Sequence, residues 1–275
     1  MTTDRTIFDP IGRCIYCDAT DVELTDEHII PEGLGGATIL PKSSCKICAA
    51  ITCRAETRLL RGMMWPFRVR MGLIGKRRKG GKSKKIPKTW TANIIGADEK
   101  VKQLSVSLDQ HPTDLTLPYF GPPGIIEDRQ RNDVFENGGW WVCHPDGAKT
   151  VRDKVLALGG TGLQSGPLII DPIVIVLAKI AHAASFALNE FRWYEPLLPD
   201  MITGKTPLSS YLVGSMSQGI PPAEPNSKIA VQVQKGYTYT AKDKFLVIRI
   251  RFFPAYGSPD YHVVAGRSLG LPGLR

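Results

Sequence analysis

Two Cys-x-x-Cys pairs constrain this chain more than any other feature. Cys14 and Cys17 form one, Cys45 and Cys48 the other, with 27 residues between them. Each pair puts two sulfurs on one side of a tight turn. Together they supply the four soft ligands of a closed tetrahedral Zn²⁺ site. A closed site keeps no position for water, so this zinc is expected to be structural. It also forces residues 14–48 to fold around one point. The other reading is redox cysteines or unrelated buried thiols; two well-spaced pairs in a cysteine-poor chain favour zinc. Cys53 and Cys143 are expected to be ordinary buried thiols. This cysteine usage suits a reducing cytoplasm better than a disulfide framework. The first residues, MTTDRTIFDP, lack a basic stretch followed by an apolar run, so no secretory signal is expected.

Charge supplies the second constraint. The 275 residues carry 35 Lys+Arg against 26 Asp+Glu, a formal +9. Twelve of the cations fall between Thr57 and Ala97, where there is no Asp or Glu: Arg58, Arg61, Arg68, Arg70, Lys76, Arg77, Arg78, Lys79, Lys82, Lys84, Lys85 and Lys88. The rest of the chain is therefore mildly acidic. Such a block repels itself unless a polyanion or solvent accommodates it. A phosphate backbone is the first partner to consider and an anionic membrane surface the second. A solvated linker is the bland alternative, and the lack of interleaved acids favours phosphate contact. Trp65, Phe67 and Trp90 read as apolar anchors at the ends of this stretch, and base stacking is their other use.

Three segments emerge: 1–62, a basic stretch 63–97, and 98–275. In the first, Glu23 to Ile30 has extended character. Pro31–Pro41, with Gly33, Gly35 and Gly36, reads as a loop or hairpin turn. Ser43 or Ser44 can cap a helix from about Cys45 to Leu60, with Ile47, Ile51, Leu59 and Leu60 as its apolar positions. Residues 77–85 are nearly pure Gly, Ser and cation, hence an exposed loop. The third segment reads as a larger α+β domain. Val101–Leu108 alternates like a strand, and Pro118–Gly124 reads as a turn. Asp171-Pro172 marks a helix start, with the helix running to about Asn189. The apolar run Pro172–Leu188 contains Lys179 and His182. It is too short and polar for a membrane span and suits a buried helix, with His182 a satisfied core histidine. Ile229–Val233, Tyr237–Thr240 after a Lys235-Gly236 turn, Phe245–Phe253 and Tyr261–Ala265 read as an antiparallel meander. Arg249 and Arg251 share one strand face and either extend the basic surface or line its solvent side. Cys143-His144 and His111 have no partners at ligand spacing.

Between the cysteine pairs lies Leu24-Thr25-Asp26-Glu27-His28-Ile29-Ile30-Pro31-Glu32-Gly33-Leu34-Gly35-Gly36. An acid-His-Ile-x-Pro segment, a Gly-Gly turn and a Cys-x-x-Cys opening a helix resemble the HNH endonucleases. Residues 11–60 carry the resemblance. Leu59-Leu60-Arg61-Gly62 and Gly72–Arg78 are similar to bacterial HNH-domain proteins with a long C-terminal region. The resemblance implies a zinc-pinned ββα-metal module followed by a larger α+β domain with an antiparallel sheet. It implies a metal-dependent endonuclease of bacterial or phage type, hydrolysing phosphodiester bonds in DNA, most naturally duplex DNA, with RNA left open. His28 would be the general base and Glu27 a ligand of catalytic Mg²⁺ or Mn²⁺.

Two departures stand out. Ala37–Ser44 contains no Asn where the family has its middle Asn. Ala49 stands at the helix position of the family's last ligand. Thr52, Cys53 and Glu56 share that helix side. Glu56 is the only hard carboxylate among them and is taken as the second ligand of the catalytic metal; pairing with Arg54 or Arg58 is its other reading. The alternatives to an enzyme are a catalytically impaired, zinc-stabilised nucleic-acid-binding module and a protein-interaction component.

Overall fold

The computed structural model describes residues 6–73, 87–131, 135–165, 168–216, 224 and 227–270. It is a mixed α+β structure. In chain order its regular elements are β1 (Thr6–Ile7), β2 (Leu24–His28), β3 (Thr38–Cys45), α1 (Lys46–Arg61), α2 (Trp65–Arg70), β4 (Thr89–Ile95), β5 (Val101–Ser107), β6 (Leu115–Phe120), β7 (Asn137–Cys143), α3 (Ala148–Ala157), β8 (Gly162–Leu163), α4 (Ile170–Ala187), β9 (Tyr194–Pro196), α5 (Pro199–Ile202), β10 (Val213–Ser215), β11 (Val231–Tyr239), β12 (Lys244–Phe252) and β13 (Asp260–Ser268).

The N-terminal unit is a small sheet, β1-β3-β2, followed directly by α1. β2 is antiparallel to β3, with His28 opposite Ile39 and Leu24 opposite Cys45. Between the two strands the Gly turn is sterically enforced. Gly35 has a φ of 79°, and a Cβ on Gly36 would stand 1.9 Å from the Ile30 carbonyl. β3 runs into α1 without a loop, so Ser43 and Ser44 are strand residues rather than caps. The cap is Cys45, whose sulfur accepts from the Cys48 amide. The buried side of α1 is Cys48, Thr52, Ala55 and Leu59, spaced by three and four residues. Ile47, expected on that stripe, is exposed.

α4 organises the rest. Fourteen of its eighteen residues are buried. One side packs on α1, another on β12 and β13. Long and apolar enough to cross a membrane, it lies mostly buried inside the protein. It starts at Ile170, one residue before the expected Asp171 cap, and no side chain caps it. β11, β12 and β13 form the expected meander, extended by β10 and β9 on β13. Lys235 and Gly236 do not turn; they continue β11, paired with Ile248 and Val247. Pro118 also lies within a strand, opposite Trp140 in the two-stranded β6–β7 sheet.

One hydrophobic core joins the two ends of the chain. It contains Cys14, Leu40, Leu59 and Phe67 together with Leu115, Ile173, Phe245 and Val263. A smaller core, with Ala92, Ile94, Val106 and Val155, sits under β4, β5 and α3. The basic stretch leaves the main core after α2, and the next described strand, β4, belongs to the smaller core. The expected anchors of the stretch meet: the Trp65 and Trp90 rings are 5.7 Å apart.

Candidate functional site

The four paired cysteines converge. Their sulfurs all lie within 4.8 Å of one another, and Cys17 and Cys45 are 3.8 Å apart. Sulfurs each ~2.3 Å from a tetrahedral zinc lie about 3.8 Å from one another. The donor set and spacing therefore fit structural zinc. The chain achieves this by pairing a knuckle before β2 with one at the β3–α1 junction. The Cys14 amide donates to Ala19 O, and Ile15 N donates to Ser43 O, which ties the first knuckle to β3. Burial pushes the Cys14 and Cys48 thiols up. Burial acts the same way on Cys45, but hydrogen bonds from Cys48 and the neighbouring thiols bring it down to about 7.

β2 delivers Glu27 and His28 at its end. A register irregularity between Thr25 and Glu27, opposite Lys42 with φ 48°, breaks the regular alternation. Glu27 is buried; His28 is half-buried, and its Nδ1 is buried without a hydrogen-bond partner. Glu56 comes from the second half of α1. The two carboxylates do meet, as a shared cation would require, but what lies between them is Lys179 of α4. Its Nζ is 2.7 Å from Glu27 Oε1 and 2.9 Å from Glu56 Oε1, and it donates to the His28 carbonyl. Burial opposes the charge on Lys179, yet the two carboxylates raise its pKa overall. Glu27 and Glu56, expected to ligate Mg²⁺ or Mn²⁺, thus carry an ammonium instead. As folded they do not present a site for a divalent ion, and Ala49 adds no donor.

The surroundings of this triad come from the same elements. Tyr16, inside the first knuckle, is buried, and its phenol is held well above the ordinary value by burial and then by the charges of Glu27 and Glu56. One turn beyond Lys179, His182 donates from Nε2 to Ile15 O at 2.6 Å. Its ring lies 5.5 Å from Tyr16. Burial holds the His182 imidazole down at about 4, so it is neutral, as expected of a core histidine. α4 therefore reaches the N-terminal unit twice, at the acidic pair and beside the cysteine cluster. One signal pointed to Lys179: a lone lysine in an apolar run needs a buried partner.

The cations divide into three groups. Arg58 and Arg61 lie exposed on α1, as does Arg54, and Lys88 is exposed just before β4. Lys76, Arg77, Arg78, Lys79, Lys82, Lys84 and Lys85 lie outside the described residues. Arg68 and Arg70 require correction as phosphate contacts. Arg68 is buried and donates to Gly33 O and Leu60 O at 2.7 Å each and to Leu73 O at 3.1 Å. It clamps the Gly turn to α1 and α2. Arg70 forms a two-point ion pair with Asp146, which Lys154 of α3 also contacts at 3.0 Å. It ties α2 to α3.

The remaining candidates play no part at this centre. Thr52 donates to Ala49 O at 3.2 Å and points along its own helix. Cys53 is exposed rather than buried, because it falls on the solvent side of α1. Cys143 is half-buried, and burial raises its thiol to about 11. Arg249 and Arg251 face Asp260 at 3.5 and 3.9 Å, so they serve the β12–β13 pair rather than a free basic surface. A cavity of about 290 Å³ lies beside Arg58, lined by Asn93, His111 and Asp114 among others; neither Glu27 nor His28 borders it.

Residues 14–55 match the family model described as HNH endonuclease. The match runs from the first knuckle through β2, β3 and most of α1. It includes His28 and all four clustered cysteines, stops just before Glu56, and leaves α4 outside. No curated protein and no solved structure matches the chain.

Proposed function

We propose that the chain binds nucleic acid, duplex DNA in the first instance, through its HNH-type unit and the cations that follow it. One observation carries this reading: the cysteine-pinned unit, whose residues 14–55 match HNH endonuclease, continues along α1 into exposed Arg58 and Arg61, directly ahead of the cation run. Phosphates laid along that end of α1 would exchange their counterions for side-chain cations. Zinc at the four cysteines would hold the unit's shape.

A second reading adds phosphodiester hydrolysis, and His28 favours it. Its ring is half-buried at the end of β2, and imidazole is the side chain suited to take a proton from water near neutral pH. With Glu27 and Glu56 committed to Lys179, this reading rests on His28 as base and on the cations around the phosphate. Four cysteines gathered as metal ligands suit a reducing compartment such as the cytoplasm.

Incubating the zinc-loaded protein with plasmid DNA, beside His28→Ala, tests both readings. A mobility shift with both proteins is expected. Absence of any shift at low salt would remove the first reading. Cleavage by the wild type that His28→Ala loses would establish the second; intact plasmid under all conditions, Mg²⁺ and Mn²⁺ included, would remove it.

A further inference from the structure

We propose that Lys179 is the resident cation of this centre, standing where a divalent metal would otherwise bind between Glu27 and Glu56. The inference rests on reading residues 14–55 as an HNH-type unit, and it concerns what occupies that unit's acidic pair.

The hydrogen bonding is complete. An ammonium has three donors and no acceptor. Lys179 Nζ has three close acceptors: Glu27 Oε1 at 2.7 Å, Glu56 Oε1 at 2.9 Å and the His28 carbonyl; Ile29 O is farther, at 3.5 Å. Each acceptor belongs to the set a hard cation would need here. Glu27 is the acid preceding the motif histidine, Glu56 is the only carboxylate on the appropriate side of α1, and His28 O is the adjacent backbone oxygen.

Burial makes the arrangement hard to displace. The Lys179 side chain is 1% exposed and Glu27 7%, while Glu56 at 21% is the most exposed of the three. A metal entering at Glu56 would have to expel an ammonium into the core around α4. There His182 already spends its Nε2 on the Ile15 carbonyl, and Ala178, Ile180 and Ala183 are apolar. An unpaired buried charge is strongly disfavoured. Mg²⁺ also demands near-octahedral oxygen coordination and retains several waters, whereas the facing oxygens of the pair are already taken by Lys179 Nζ.

The same bond gives Lys179 a positioning role. By donating to the His28 carbonyl it fixes the peptide that follows His28, so α4 sets the end of β2. Lys179 thus joins three elements and removes the need for a metal to neutralise the acidic pair. Ala49 is consistent with this: where no metal is held, the helix needs no further ligand.

The test is Mn²⁺ binding to the zinc-loaded full chain, followed by the loss of the free-ion paramagnetic resonance signal. For the wild type we expect no saturable site tighter than about 1 mM. For Lys179→Ala, which leaves the carboxylates facing each other, we expect one Mn²⁺ site at least about tenfold tighter than anything in the wild type, lost again in Lys179→Ala/Glu56→Gln. A wild-type Mn²⁺ site that Glu56→Gln or Glu27→Gln abolishes would overturn the proposal. So would a folded Lys179→Ala that takes up no more Mn²⁺ than the wild type. Where Lys179→Ala fails to fold, the wild type beside Glu56→Gln still decides. DNA binding does not enter this readout, so loss of the nucleic-acid reading and loss of this one are separable.

Discussion

Arg58 and Arg68 belong to one charge run and do opposite things. Arg58 is exposed on α1, whereas Arg68 is buried and spends its guanidinium on three backbone carbonyls. Arg68→Ala should destabilise the fold by about 3 kcal/mol or more, because it leaves buried carbonyls unpaired. It should leave the salt dependence of DNA binding unchanged wherever the variant stays folded. Arg58→Ala and Arg61→Ala should do the reverse: melting barely altered, and the salt slope reduced by roughly one per residue. Thermal melts paired with binding titrations separate the two outcomes. Residue type and local spacing made the cysteine cluster legible, since each knuckle depends on neighbours in sequence. The partner of Glu27 and Glu56 was not legible. Lys179 lies 151 residues from His28, whose carbonyl it meets, and only the packing of α4 on α1 brings them together.

At the scale of elements, periodic ones were readable and conditional ones were not. α4, β12 and β13 announce themselves by unbroken apolar runs or alternation. β3 does not: Thr38–Pro41 reads as loop and Ser43 or Ser44 as a helix cap, and they are strand because β2 and β1 pair along Thr38–Cys45. α2 was hidden inside the charge run, its helix stabilised by burial of Phe67 against Phe253 and Tyr256. α4 also carries a pH prediction. His182 faces Tyr16 and the Ile15 carbonyl, with the charges of Arg13 and Asp18 nearby. Burial depresses its pKa from 6.5 to about 4. The folded state therefore prefers neutral imidazole, and this contribution is complete above pH 6.5. It is lost as pH falls from 6.5 toward 4, by roughly 3 kcal/mol in all. Urea midpoints should drop across that window in the wild type. His182→Gln, which keeps a donor for Ile15 O and does not titrate, should lose that part of the drop. Parallel curves for the two proteins would contradict the assignment.

The whole molecule is held by a core that runs from the cysteine cluster through α1 and α4 to the β11–β13 meander. Division into 1–62, 63–97 and 98–275 follows composition, but burial crosses those boundaries. Metal removal should therefore be felt throughout. Chelating zinc should lower the main unfolding transition by about 10 °C or more, since structural zinc contributes folding energy directly. Two transitions, with the second unmoved by chelation, would mean that the N-terminal unit melts by itself. Zinc content should be one per chain, and it should fall with Cys14→Ser or Cys48→Ser.

In the proposed function, the end of α1 presents its cations to a phosphate backbone. Fluorescence anisotropy of a labelled DNA duplex, titrated with zinc-loaded protein at increasing salt, tests it most directly. The predicted result is binding at about 50 mM salt, with log affinity falling linearly against log salt at a slope of several units. That slope should be shallower for Arg58→Ala/Arg61→Ala. No binding at about 50 mM salt, or binding whose affinity ignores salt, would contradict the claim.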